Sequence, residues 1–274
     1  MGLRFAPIGS AVPNLGVEHG ATNIVEKLPR YFTGKQSLVL QFPEPESLSA
    51  DRYLTQVFEQ YLAAKYQLLA AWPLSTSLVA LGGDHSTAFI SLAAVMERYS
   101  AANVAVIMFD SHADLHQAAT SPTGNFHGMW LRSLCDSFPL LNDQGYSRRL
   151  DPTQLRFVGN LLTEAAEVEF IAQHEIQIYD SSRISLPAAN QLVEWAATFP
   201  HLHVSFDVDV FDQTLVSATG TPNPNGLTMN EVMMMLQPLA AHGSISLDIV
   251  EHNPHKPEAV QTLPLIERIL QTLL

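Results

Sequence analysis

Apolar residues fall along the chain in short runs, separated by longer stretches in which they recur at helical spacing. The runs at 3–8, 37–42, 77–81, 103–108, 155–159, 176–179, 202–207 and 244–250 are short for amphipathic helices, and that at 103–108 is also unbroken. They read as strands, most of them buried on both faces. Pro43 and Pro45 close the second run quickly, which suits an edge strand. Between the runs, 51–72 places Leu54, Val57, Phe58, Tyr61 and Leu62 on one helical face, and 87–99, 163–174, 191–197, 228–239 and 257–274 also read as helices. Thr228 followed by Glu231 is a capping-box pattern at a helix start. Eight strands alternating with helices predict an α/β fold: a mainly parallel sheet covered on both faces. With no repeat, low-complexity tract or linker, residues 1–274 are expected to form one domain.

Composition narrows the setting. The formal charge is −13, with 27 acidic residues against 14 Lys and Arg, and no basic cluster exceeds Arg148-Arg149. Nucleic acid and anionic membrane are therefore poor partners, and the residual field favours a cationic small molecule. A single cysteine, Cys135, rules out a disulfide framework and fits a reducing compartment. No stretch reaches transmembrane length and the first residues lack the succession of a signal peptide, so a cytoplasmic protein is expected.

Chemistry concentrates at the carboxyl ends of the predicted strands, the edge where open α/β sheets bind ligands. Asp110-Ser111-His112-Ala113-Asp114 follows the run at 103–108, and Asp207-Val208-Asp209 ends the run at 202–207. In an extended chain Asp110 and Asp114 would stand roughly 13 Å apart at about 3.3 Å per residue, so the strand must end and curl if both meet one ion. Gly82-Gly83-Asp84-His85-Ser86 presents His85 after another run, and 244–250 delivers Glu251. Several carboxylates in one crevice repel one another unless cations neutralise them. Four aspartates with two histidines suit Mn²⁺ better than an all-oxygen magnesium site or a thiolate zinc site. Six such side chains exceed the needs of one catalytic ion, whereas two bridged ions would use them all.

Taken in order, Gly16-Val17-Glu18-His19-Gly20, the Gly82–Ser86 loop, the Asp110–Asp114 motif, Ser205-Phe206-Asp207-Val208-Asp209 with Ala218-Thr219-Gly220-Thr221-Pro222, and Asp248-Ile249-Val250-Glu251-His252-Asn253-Pro254 resemble the ureohydrolases: arginase, agmatinase and formiminoglutamase. The resemblance implies a doubly wound, eight-stranded parallel sheet and assembly as homo-trimers or hexamers. It implies two Mn²⁺ per chain, one held by His85, Asp110, Asp114 and Asp207 and the other by Asp110, His112, Asp207 and Asp209, with Asp110 and Asp207 bridging. Thr123-Gly124-Asn125-Phe126-His127-Gly128 resembles the arginase loop, implying that His127 passes a proton to the leaving amine and that Glu251 pairs with the guanidinium. Thr123, Asn125 and Thr221 are implied on substrate, as is Glu164, with Glu167, at an α-amino group.

Some positions depart from the arginase pattern. His116 stands where arginases usually carry Asn to hold the substrate carboxylate, and Gln213 and Ser217 replace common prolines. The expected activity is hydrolysis of L-arginine or an N-substituted arginine by hydroxide attack on the guanidinium carbon, giving urea or a substituted urea and the amine. Agmatine, another guanidino acid and formiminoglutamate are alternative substrates. The last is disfavoured because residues 115–130 contain no Lys or Arg for its two carboxylates. A metal-binding pseudoenzyme is the competing class.

Overall fold

The structure is a computed structural model describing residues 15–40, 42, 50–73 and 75–274, with the side chains of residues 50 and 51 outside the description. Six strands, β1 Val79–Leu81, β2 Val104–Phe109, β3 Leu155–Val158, β4 Gln177–Tyr179, β5 His201–Asp207 and β6 Ile245–Val250, form one parallel sheet in the order β1-β6-β5-β2-β3-β4. Each coincides with an apolar run to within two residues. Of the other two expected strands, 3–8 lies outside the described residues. Residues 37–40 and Phe42 take no strand conformation.

Helices cover both faces. On one lie α2 Ala50–Ala71, α3 Ala88–Tyr99, α4 Trp130–Cys135 and α5 Pro139–Asp143; most of the remainder, α1 Gly20–Lys27, α7 Leu186–Ala196, α8 Met229–Leu236 and α9 Ala259–Leu273, line the other, with α6 Ala165–Gln173 following β3. Strand β2 shows why its run carries no polar break. Val104, Val106 and Met108 enter one core, while Ala105, Ile107 and Phe109 enter the other. Helix α8 starts on the expected capping box, with the Thr228 side chain accepting from Glu231 N and that of Glu231 from Thr228 N. Helix α7 starts five residues earlier than the pattern at 191–197 suggests, because Ser185 caps it and Pro187 occupies its first turn. No described helix is long and apolar enough to cross a membrane.

This topology places the segments after β1, β2, β5 and β6 side by side. Strands β2 and β5, nearly a hundred residues apart in sequence, are direct neighbours with Phe109 opposite Phe206. Strand β6 flanks β5 and pairs Asp207 with Val250, and β1 lies beside β6.

Candidate metal centre

The loop after β1 turns at Gly82 and Gly83 into a short 3₁₀ turn, His85–Thr87, capped by Asp84, whose carboxylate accepts from Ser86 N at 3.1 Å. This turn aims His85 Nδ1 at three carboxylates: Asp110 Oδ2 at 2.9 Å, Asp114 Oδ2 at 3.2 Å and Asp207 Oδ2 at 3.2 Å. The other ring nitrogen, Nε2, faces Ser205 Oγ at 2.9 Å. His112 Nδ1 lies 3.1 Å from Asp209 Oδ2 and 3.6 Å from Asp110 Oδ1. Two donor groups result, His85 with Asp110 and Asp207, and Asp110 with His112 and Asp209. Asp110 belongs to both, one oxygen toward each histidine. Asp114 adds a carboxylate beside His85. Asp207 joins only the His85 group, its Oδ1 accepting from Asp209 N at 2.8 Å.

The donor set fits divalent cations on a structural observation. His85 Nδ1 and Asp110 Oδ2 are buried and face each other at 2.9 Å, yet neither has a hydrogen-bond partner. Two buried polar atoms so placed are costly unless a proton or a metal cation lies between them. Separations near 3 Å suit neighbouring ligands of one ion with bonds of about 2.1 Å.

Electrostatics point the same way. Burial penalises the Asp114 carboxylate, and with Asp110 beside it the group is pushed up to about 8. Asp207 is raised well above the carboxylate range by burial, then by Asp209 and Asp110. Burial alone would lower the His112 imidazole, but Asp209 and Asp110 outweigh it and hold it at about 12. Bare of metal, this cluster recruits protons to offset its charge.

Backbone strain marks two of these residues. Asp114 at φ 53° and Glu251 at φ 66° are left-handed non-glycine residues, held there by surrounding structure. The Trp130 indole donates to Asp114 Oδ2 at 2.7 Å. Glu251 Oε1 accepts from His85 N at 2.9 Å, and burial followed by Asp207 and Asp84 raises its pKa well above the usual range.

The remaining predicted site residues are placed as follows. His127 occupies the 3₁₀ turn Phe126–Gly128, half-buried, and burial lowers its imidazole below the ordinary value. Thr123 Oγ1 accepts from Asn125 N at 3.2 Å; Thr123 is exposed and Asn125 buried. Thr221 Oγ1 donates to Asp209 Oδ2 at 3.1 Å, so it orients a carboxylate of the cluster. His116 is buried, its Nε2 3.8 Å from Glu164 Oε2 and 3.6 Å from Glu167 Oε2. Both acids form a capping box at the start of α6, and Glu167 also accepts from Leu115 N at 3.0 Å and Glu164 N at 3.1 Å. The two glutamates expected at an α-ammonium are thus gathered around His116.

Sequence reasoning missed the residues behind the donors. Ser111 Oγ donates to Asp209 O at 2.7 Å and accepts from Asn223 Nδ2 at 2.8 Å. Ser205, His203 and Asp248 form a buried polar row behind His85. Their signal was alternation, since every second residue of two apolar-looking strands is polar.

Among known proteins, the family model for the arginase family matches residues 9–274. An arginase of Schizosaccharomyces pombe is 33% identical over 208 residues, covering 72% of this chain and 64% of its own length. An arginase of Bacillus caldovelox is 32% identical over 201 residues, 70% of this chain and 67% of that protein. The match therefore spans slightly less than two thirds of the fission-yeast relative. Among solved structures, the Bacillus subtilis arginase superposes with a TM-score of 0.79 at 26% identity, covering 98% of this chain and 97% of that one. The Entamoeba histolytica arginase, solved with L-ornithine, reaches 0.83 at 22% identity over 98% and 96% of the two chains, a likeness of fold.

Proposed function

Because the chain belongs to the arginase family, we propose that it is a hydrolase of a guanidino compound, L-arginine or an N-substituted arginine, dependent on two Mn²⁺. The observation that carries the reading is the pair of donor groups sharing Asp110 at the carboxyl edge of the sheet. His85, Asp110, Asp114 and Asp207 would hold one ion, and Asp110, His112, Asp207 and Asp209 the other. Bound there, two such ions would acidify a shared water and stabilise charge developing at the attacked carbon.

The chain's own groups supply the rest. Glu251, buried and fixed by the His85 amide, offers a carboxylate to a planar guanidinium. His127, with its pKa lowered by burial, rests neutral near pH 7, so it can take up a proton shed by the attacking water and pass it to the departing amine. Asn125 and Thr123 offer neutral partners to a substrate carboxylate. The ornithine held by the Entamoeba relative has the tail of arginine, which supports an amino-acid substrate.

The commitment of Glu167 to Leu115 N and Glu164 N favours a second reading, a guanidino acid without an α-ammonium group. The proposal also includes a single-domain chain and a cytoplasmic setting, expected from the sequence, and a homo-oligomer, implied by the resemblance and testable by light scattering. A panel of arginine, N-hydroxyarginine, agmatine and an ω-guanidino acid, scored for urea or substituted-urea release by Mn²⁺-loaded protein, tests the reading. Release from none of them would reject the guanidino assignment. Agmatine outperforming every acid would reject the tail-binding loop and leave the metal site standing.

A further inference from the structure

One face of β5 and β6 departs from the rule for a doubly covered parallel sheet. Leu202, Val204, Phe206, Leu247 and Ile249 enter an apolar core, but the opposite face carries His203, Ser205, Ser246 and Asp248, each at most 1% exposed. Register explains how they meet, since His203 stands opposite Ser246 and Ser205 opposite Asp248. Their hydrogen bonds form one row. His85 Nε2 meets Ser205 Oγ at 2.9 Å, and Ser205 Oγ donates to Asp248 Oδ1 at 2.6 Å. Asp248 Oδ2 accepts from His203 Nε2 and from Ser91 Oγ, each at 2.8 Å. His203 Nδ1 continues to Ser246 Oγ at 2.8 Å, and that hydroxyl to His201 Nε2 at 2.9 Å.

Counting hydrogens gives the row a direction. Burial disfavours an ionised Asp248, but His203 beside it and the Ser205 hydrogen bond hold its pKa below the ordinary value. An ionised carboxylate only accepts, so the one hydroxyl hydrogen of Ser205 goes to Asp248. Toward His85, Ser205 Oγ can then only accept. When a cation occupies the site the His85 ring is neutral and must carry its hydrogen on Nε2, which leaves the Nδ1 lone pair toward Asp110, Asp114 and Asp207.

We propose that Asp248, held by His203 and acting through Ser205, is a positioning residue that locks His85 in the tautomer and orientation needed to bind a cation at its site. The inference rests on the metal reading above and not on the reaction. A buried carboxylate with several donors is costly to maintain, and fixing a ligand tautomer gives it a role that packing alone does not.

The test is calorimetric titration of metal-depleted protein with Mn²⁺, comparing wild type with Ser205→Ala, Asp248→Asn and the double variant. Each single change should weaken one binding step about 10–100-fold, the usual cost of removing a partner behind a ligand. The other step, which lacks His85, should move by no more than about twofold. The double variant should bind like Ser205→Ala alone, because Asp248 acts through that hydroxyl. His203→Gln, whose amide can still donate to Asp248, should retain binding, while His203→Leu should lose it. This second pair decides the matter if Asp248→Asn does not fold, and thermal melting of the metal-free variants reports that. Unchanged affinity in Ser205→Ala, equal weakening of both steps or strictly additive losses would overturn the lock while the wild type still binds two ions. A wild type that takes up no Mn²⁺ would overturn the metal reading and the lock with it.

Discussion

Gly159 is where fold and site are most tightly coupled, and replacing it with Ala has a calculable consequence. It follows β3 and lies against Asp110, so that an added Cβ would sit 1.8 Å from Asp110 O and 2.9 Å from Asp110 C. Carbon and carbonyl oxygen seldom approach closer than about 3.3 Å, so the two segments must part by more than roughly 1 Å. Neither is free to yield. Asp110 N donates to Val158 O at 3.2 Å, and Gly159 N to Tyr179 O at 3.1 Å. Overpacking costs about 1–3 kcal/mol where side chains can give way, and each strained backbone hydrogen bond adds about 1 kcal/mol. Gly159→Ala should therefore cost about 3–5 kcal/mol, or on the order of 10 °C in Tm for a domain of this size. Because Asp110 stands in both donor groups, a shift of this size should also weaken both Mn²⁺ binding steps. Thermal unfolding of the metal-free protein and calorimetric Mn²⁺ titration measure the two effects. Gly243→Ala is the control, since its Cβ meets nothing within 4 Å, and it should change stability by less than about 0.5 kcal/mol. A loss below about 1 kcal/mol in Gly159→Ala, with metal binding intact, would refute the reasoning.

Further expectations concern the cluster itself. Mn²⁺ affinity should fall as pH falls, because Asp114, near 8 without a cation, and His112, near 12, must shed protons before they can ligate. Titrations in buffers of different ionisation enthalpy should register proton release, and none would contradict the assignment. Asp110→Asn should impair both binding steps and Asp209→Asn chiefly one, since only Asp110 belongs to both groups; equal effects would remove Asp110 from the bridge. His127→Asn should lower turnover by about 10²–10⁴-fold with metal content unchanged, whereas loss of Mn²⁺ would make His127 a ligand or a structural residue. His116→Asn, which frees Glu164 and Glu167 from the imidazole, should shift preference toward arginine over guanidino acids without an amino group; an unaltered substrate ratio would remove His116 from tail recognition.

Local chemistry carried a large part of this protein. A strand buried on both faces is mostly apolar, so its carboxyl end shows as the acids and histidines that follow an apolar run. That rule located the positions of His85, Asp110, Asp207 and Glu251, and it placed six strands to within two residues. Short elements held by contacts rather than propensity escaped it. Helix α1, after a turn-rich loop, and the brief α4 and α5 carry too few residues for periodicity to speak, and they form because neighbouring helices cover them.

The tertiary structure alone decided which strand ends meet and what stands behind them. Nothing in the order of the runs says that β2 lies against β5, or that β1 and β6 close one flank, because strand order depends on how crossover helices pack on each face. The same holds for the pairing of His116 with Glu164 and Glu167, which are close only because the loop after β2 folds onto the start of α6. Along β5 and β6, alternate His, Ser and Asp residues look like interruptions when each strand is read alone. They become one continuous row only when register sets His203 opposite Ser246 and Ser205 opposite Asp248. Residue types and their spacing thus specified the donors of the candidate centre, whereas the hydrogen bonds that orient them depend on contacts across the sheet, which no one-dimensional pattern encodes.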